Sequence, residues 1–167
     1  MKYRQIKNRE LHRIVSTAII YKEGKYLITK RSPDKKVWPN RWTVPGGGFE
    51  IDDYVNLPPT TKQTWYFGLT NSLRREVKEE VGLEIGRINY LLDLTFIRPD
   101  NIPVLTLSFY APWKKGKVKL NSESTEFVWV DAKNVDKFDL IEGIGTEIKK
   151  ADAIRRGKNP EKIKFSK

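Results

Sequence analysis

Residues 75–83 read REVKEEVGL, with glutamates at positions 76, 79 and 80. Wound as an α-helix at about 100° per residue, Glu79 falls roughly 60° to one side of Glu76 and Glu80 roughly 40° to the other. The three carboxylates therefore share one stripe of helix surface. Val77 and Val81 fall on an adjoining apolar stripe, and Lys78 points away. Like charges three and four residues apart repel, by roughly 0.2–0.5 kcal/mol per pair. A cation placed against the stripe turns that repulsion into attraction, and a hard divalent ion with about six oxygen ligands suits such a cluster. A solvated acidic face has the same geometry, so spacing alone leaves both readings open.

The rest of the composition narrows what such a stripe could hold. The chain has no cysteine, and His12 is its one histidine. A Cys/His zinc site, a cysteine nucleophile and a Ser-His-Asp triad using a second histidine are all excluded. Any metal must take oxygen ligands, which favours Mg²⁺, Mn²⁺ or Ca²⁺. His12 lies in a basic stretch and reads as a surface residue. With 167 residues, 38% of them hydrophobic, and five Trp, seven Tyr and seven Phe, the chain suits one globular domain spanning 1–167. IVSTAIIY (14–21) is too short to cross a bilayer, and the polar segment before it does not resemble a signal peptide. The expectation is a cytoplasmic protein with no membrane partner.

The formal charge of +11 is concentrated at the two ends. Residues 1–13 carry +4 and residues 149–167 carry +6, which leaves +1 for the body between them. A basic C-terminal tail at about 149–167 and a basic N-terminus could contact RNA or phosphates, or could simply be solvated.

The apolar patterning predicts the elements that must position the glutamates. IVSTAIIY and KEGKYLITKR (22–31) read as two strands joined by a turn at Glu23-Gly24. RSPDKKVWPNRW (31–42), with two prolines, reads as a loop, and WTVPGGGFE (42–50) enters a glycine-rich turn. Residues 65–81 read as a helix stopped by Gly82. Strands follow at 88–98, 103–113 and 126–132, then a helix within 137–157. This order predicts an α/β (α+β) domain with mixed strand pairing.

Segment 75–83 resembles the second half of the Nudix box, which runs Arg-Glu-apolar-any-Glu-Glu-any-Gly-apolar. Arg75, Glu76, Val77, Glu79, Glu80, Gly82 and Leu83 meet every specified position. Pro45-Gly46-Gly47 resembles the start of the first half, with five residues between Gly47 and Asp53, where the family usually has Glu. Between Asp53 and Arg75 stand 21 residues (54–74), where the pattern has seven, so 14 are extra. The preceding strands, Lys30-Arg31 and the tryptophan before Pro-Gly-Gly are also similar to family features, and the resemblance covers about 14–135. The extra stretch lies within 54–73 and reads as an extended loop, able to act as a lid or a substrate wall.

The resemblance implies a Nudix-type α/β/α sandwich with a mixed central sheet. It also implies a pyrophosphohydrolase, acting on acid anhydrides, that cleaves a nucleoside diphosphate linked to another moiety. A nucleoside triphosphate (oxidised ones included) and an ADP-ribose-like compound both qualify as its small-molecule substrate. Mg²⁺ or Mn²⁺ is the implied cofactor, neutralising phosphate charge and polarising phosphorus. Glu76, Glu79 and Glu80 are the implied ligands, with the Gly46 carbonyl and Glu126. Arg75 is expected to orient a glutamate, and Asp53 to complete the catalytic set. Glu126 leads as general base and Glu123 follows. Arg31 and Arg41 are candidate phosphate contacts, as is Lys30. Trp42, Trp38, Trp65, Tyr66 and Phe67 could stack on a base or be buried. The alternatives are a domain that binds nucleotide or RNA without hydrolysis, or one acting on RNA 5′ ends.

Overall fold

Residues 13–22 have apolar side chains at successive positions, the pattern of a strand covered on both faces. The computed structural model, which describes residues 10–165, places them at the centre of a mixed sheet. Strand β1 (Arg13–Lys22) forms a hairpin with β2 (Lys25–Arg31), pairing Tyr21 with Tyr26 and Lys22 with Lys25. Glu23 and Gly24 both take positive φ, 50° and 79°, as a two-residue hairpin turn of this twist requires. On its other side β1 runs parallel to β7 (Pro103–Lys115), from Arg13↔Val104 to Tyr21↔Pro112. Among the described residues, the other pairings between strands are antiparallel, and Trp42 makes an isolated parallel bridge with Leu140. The antiparallel pairings join β3 (Trp42–Thr43) and β8 (Ser124–Asp131) to β2, β4 (Gly46–Gly48) to β1, and β5 (Glu84–Ile85) and β6 (Asn89–Ile97) to β7.

Alternation along the central strands sends apolar side chains to two separate cores. Ala18, Ile20, Leu27 and Phe109 face helix α1 (Gly68–Val81), which contributes Leu73, Val77 and Val81. Ile19, Tyr26, Ile28 and Val130 face helix α2 (Ile144–Arg155), which contributes Ile144, Ile148 and Ala151. The sheet thus lies between two helices, the expected α/β/α sandwich. Among the described residues no helix is long and apolar enough to cross a membrane.

Several expected boundaries moved, each for a local reason. Helix α1 begins at Gly68 and not at 65, because the aromatic run before it is held elsewhere. Trp65 donates its indole N–H to the Leu57 carbonyl, the Tyr66 N–H reaches Thr60 Oγ1, and Phe67 is left-handed at φ 62°. The second helix is confined to 144–155, since 132–137 forms a separate 3₁₀ turn and Gly143 has φ 88°. The glycine triplet is a strand rather than a turn: Gly48, Gly47 and Gly46 pair with Val15, Ser16 and Thr17.

The basic C-terminal segment is also more integrated than a tail. Lys149 pairs with Asp136, Arg156 pairs with Asp152 at 2.8 Å, and Lys150 donates to the Pro160 carbonyl at 2.9 Å. The Arg155 guanidinium lies 3.8 Å from the centre of the Tyr21 ring. Most of the basic N-terminus, residues 1–9, lies outside the described residues.

Leu73 is fully buried where α1 meets the sheet. Leu73→Ala should lower stability by about 2–5 kcal/mol, from lost apolar transfer plus a residual cavity. Urea unfolding would measure this as a lower midpoint with little change in slope.

Candidate active site

Helix α1 presents its acidic stripe across the glycine strand β4, and the approach is possible because β4 has no side chains there. A Cβ on Gly47 would stand 2.3 Å from the Glu76 carboxyl carbon, and one on Gly46 would stand 2.2 Å from the Ser16 carbonyl oxygen. Gly46 also has φ 153°, and its N–H donates to Glu80 Oε2 at 2.9 Å. Glycine is required at Gly46 by backbone contact and conformation, whereas a Cβ at Gly47 would displace the Glu76 carboxylate. The Gly46 carbonyl was the expected ligand atom; its N–H is the group that holds Glu80.

Glu76 and Glu80 border one large groove of about 1470 Å³, whereas Glu79 lies outside it. Glu79 is exposed and pairs with Arg75 at 2.8 Å. Burial raises the pKa of Glu76, against the opposing charge and hydrogen bond of Arg75. Burial acts more strongly on Glu80. With Glu76 and Glu123 adding like charge, against the Gly46 N–H and Lys35, its pKa is pushed up to about 7. Among the described residues, Glu80 forms no ion pair, and no three acidic groups converge as a ready-made metal cage. What the groove does hold is two carboxylates crowded in low dielectric with too little positive charge between them. That donor set fits a hard divalent ion.

Arg75 connects the two halves of the motif. Its guanidinium donates to Asp53 Oδ1, Glu76 Oε1 and Glu79 Oε2 at 2.8, 2.9 and 2.8 Å. Asp53 Oδ2 in turn accepts from Ser72 Oγ at 2.9 Å and from the Glu50 N–H at 2.8 Å. Burial would raise the Asp53 pKa, but these hydrogen bonds outweigh it and hold the carboxyl below its usual range. For Arg75, burial is likewise outweighed, by the hydrogen bonds and charge of Asp53 and Glu76, and its pKa lies above its ordinary value. Asp53 does not border the groove. It anchors Arg75, and Arg75 fixes Glu76.

The 14 extra residues leave this arrangement intact. Tyr54 stacks on Phe49 at 5.5 Å and packs against Trp65 at 5.4 Å. This folds 54–67 onto itself, and none of its residues borders the groove. The expectation of a lid or substrate wall is corrected, and Trp65, Tyr66 and Phe67 are not placed to stack on a bound base. Trp42 is corrected too: it is buried beside Phe138, in the α2 core. Trp38 does border the groove, with its ring 5.5 Å from Phe96.

Glu126 is more than half exposed and pairs with Lys30 at 2.7 Å, and neither borders the groove. Both candidacies lose their geometric support. Glu123 does border it, for a reason found at the C-terminus of α1. The last carbonyls of a helix need outside donors. Here the Lys119 N–H bonds the Val81 carbonyl at 2.9 Å, and the Asn121 N–H bonds the Glu80 carbonyl at 3.1 Å. Asn121 Oδ1 then accepts from the Glu123 N–H at 2.9 Å. Capping the helix therefore hangs Glu123 beside Glu80, where Lys35 pairs with it.

Arg31 borders the groove, and its side chain is fixed on the Val37 carbonyl. Burial lowers its pKa, Glu80 and Glu123 oppose that, and nearby Arg98 adds to it. Arg41 is braced by Asp139 at 3.0 Å. Arg98 went unnoticed in the sequence, where an arginine closing a strand looks like any other. Its Nε is buried without a partner, beside the positive charge of Arg31. Its Nη2 pairs with Asp100 at 2.6 Å, so Nε is the part of this guanidinium left without a partner. His12 is exposed, with Nδ1 3.3 Å from the Glu10 carbonyl, the plain surface role expected of it.

The fold and motif find parallels among known proteins. The nucleoside triphosphatase NudI of Escherichia coli K12 is 25% identical over 139 residues, spanning 77% of this chain and 88% of its own. The MutT protein of Methanosarcina mazei superposes with a TM-score of 0.65 at 21% identity, over 89% of this chain and 99% of its own. The NUDIX domain of Shewanella oneidensis NrtR, solved with ADP ribose, gives 0.65 at 16% identity, over 88% and 89%. No family model matches the chain.

If Gly47 is glycine because Glu76 occupies the space, Gly47→Ala should cost about 1–3 kcal/mol. A double-mutant cycle with Glu76→Ala should return a coupling above about 0.5 kcal/mol in urea unfolding. Simple additivity would place the crowding elsewhere.

Proposed function

The chain belongs to the Nudix family, and from that premise we propose that it is a divalent-metal-dependent pyrophosphohydrolase of nucleoside triphosphates. The observation that carries this reading is the buried Glu80, without an ion pair among the described residues, beside Glu76 in one groove with Arg31 and Arg98. Acidic and basic groups so close together suit a ligand that brings both a cation and phosphate oxygens. The NudI relatives, named nucleoside triphosphatases, favour a triphosphate over an ADP-ribose-like compound.

Glu76 and Glu80 are the residues that would hold Mg²⁺ or Mn²⁺, with Glu79 at the edge of the stripe. When bound, the ion would offset phosphate charge and make phosphorus more electrophilic. Arg75, anchored by Asp53, keeps Glu76 turned toward β4. Arg31, held on the Val37 carbonyl, and Arg98, with Nε unpartnered and Nη2 on Asp100, are the groove's candidate contacts for phosphate oxygens. Glu123, tied to the end of α1, is the group placed to take a proton from the attacking water. Lys35 is its ion-pair partner. Glu126 is not needed in this scheme.

A panel of nucleoside triphosphates and ADP-ribose, assayed with and without Mg²⁺ or Mn²⁺, should show release of phosphate or pyrophosphate that requires the ion. Glu80→Gln should lower kcat by about a hundredfold or more. The same substitution removes a buried charge, so it should raise the thermal midpoint of the metal-free protein while abolishing the further rise that Mn²⁺ gives the parent. Nucleotide binding without cleavage of any substrate would leave a binding domain in place of an enzyme.

Glu123→Gln and Glu126→Gln separate the two candidate bases. The first should lower kcat by roughly a hundredfold or more, with little change in KM, and the second should leave both within about twofold. The reverse pattern would restore Glu126.

A further inference from the structure

The acidic pair and the arginines account for one part of the groove. A second polar cluster lies at its inner end, on the face of the sheet covered by α2. Glu147, the fourth residue of α2, is only 4% exposed. Its Oε2 accepts from Ser108 Oγ at 2.7 Å, and Ser108 is itself fully buried. Among the described residues no cation pairs with it. Lys150, one turn further along α2, directs its ammonium to the Pro160 carbonyl. Burial raises the Glu147 pKa against the one hydrogen bond from Ser108.

Across the parallel pairing of β1 and β7, Ser108 stands opposite Thr17. Thr17 Oγ1 is buried with no hydrogen-bond partner. Both Thr17 and Glu147 border the same groove as Glu76 and Glu80. Thr17 also faces Gly46 across the β1–β4 pairing, and the Gly46 N–H holds Glu80. The two polar sites are therefore linked by one short path across the sheet. Buried polar groups are nearly always satisfied, and an orphan on a cavity wall marks a place where a ligand atom belongs.

A purely structural tie between α2 and β7 would use one oxygen of Glu147. Glutamine could serve there without burying an acid, and such a tie would give no account of the orphan Thr17 hydroxyl opposite Ser108 on the next strand. A ligand that brings N–H donors would supply what burial denies the carboxyl. Among nucleobases, guanine presents a ring N–H beside an exocyclic amine, two donors on one edge, with a carbonyl next to them. Adenine and cytosine place a ring lone pair beside the amine, which a carboxylate repels. Uracil flanks its one N–H with carbonyls.

We propose that the inner end of the groove is the base-reading subsite, that it selects a guanine-type edge through Glu147, and that Thr17 donates to the neighbouring carbonyl. This assignment rests on the nucleotide reading of the groove. Val104 and Phe96, with Trp38 against Phe96, give the same groove an apolar wall.

Nucleoside monophosphates have no anhydride to cleave, so they test the subsite apart from hydrolysis. Calorimetric titration of the full chain with GMP, AMP, CMP and UMP should show GMP binding roughly tenfold or more tighter than the others. Glu147→Gln should remove that preference, weakening GMP on the order of ten- to a hundredfold and UMP hardly at all. Thr17→Val keeps the side-chain volume and should weaken GMP in part, so a poorly folded Glu147→Gln would still leave a decisive variant. Glu80→Gln should keep the base preference while losing turnover. Equal binding of the four nucleotides by the parent, a preference for adenine or cytosine, or a GMP preference untouched by both variants would overturn the proposal. A GMP preference without hydrolysis of any triphosphate would uphold it and sink the activity alone.

Discussion

A helix can press a carboxylate onto a strand only where the strand has no side chains. The contact between Glu76 and the backbone of Gly47 is that constraint in this protein, and much of the candidate site follows from it. Next to it the Gly46 N–H donates to Glu80 at 2.9 Å. The Gly47 contact also explains why three glycines form a strand, where local preference alone reads a turn. Glycine weakens a strand through its entropy. Here the loss is offset by ladder bonds to β1 and by the packing of Leu73, Val77 and Val81 behind the acidic stripe.

The site is unfavourable as a folded arrangement and useful for the same reason. Glu76 and Glu80 are held near one another with their water removed, and Arg75 offsets Glu76 only. In the same groove Arg31 is held on the Val37 carbonyl and feels the charges of Glu80 and Glu123, and Arg98 pairs with Asp100 at 2.6 Å.

The insertion between Asp53 and Arg75 shows how the fold tolerates a break in a short motif. Chain length in a surface loop costs little once its ends are fixed. Here one end is fixed by Asp53 on Ser72 and Arg75, and the loop is filled by its own aromatics, Phe49 on Tyr54 and Tyr54 on Trp65. Aspartate, shorter than the usual glutamate, still reaches Arg75 because the 3₁₀ turn at 51–53 brings its backbone close to α1.

The sequence by itself determined the elements and the acidic helix. Alternation of apolar residues marked the central strands, Gly82 ended α1 as expected, and 100° spacing put the glutamates on one stripe, because these depend on neighbours along the chain. Which of the three enter the groove did not follow from spacing: Glu79, at the far edge of the stripe, is drawn aside by Arg75. The fates of Trp42, Glu126 and Glu123 were likewise open, since each depends on a contact with a distant strand or helix end. Glu147 left one trace, an acid on the same helical face as Ile144, Ile148 and Ala151. Its meaning required Ser108 and Thr17 beside it, and only the parallel pairing of β1 with β7 brings residues so far apart in the chain to one wall.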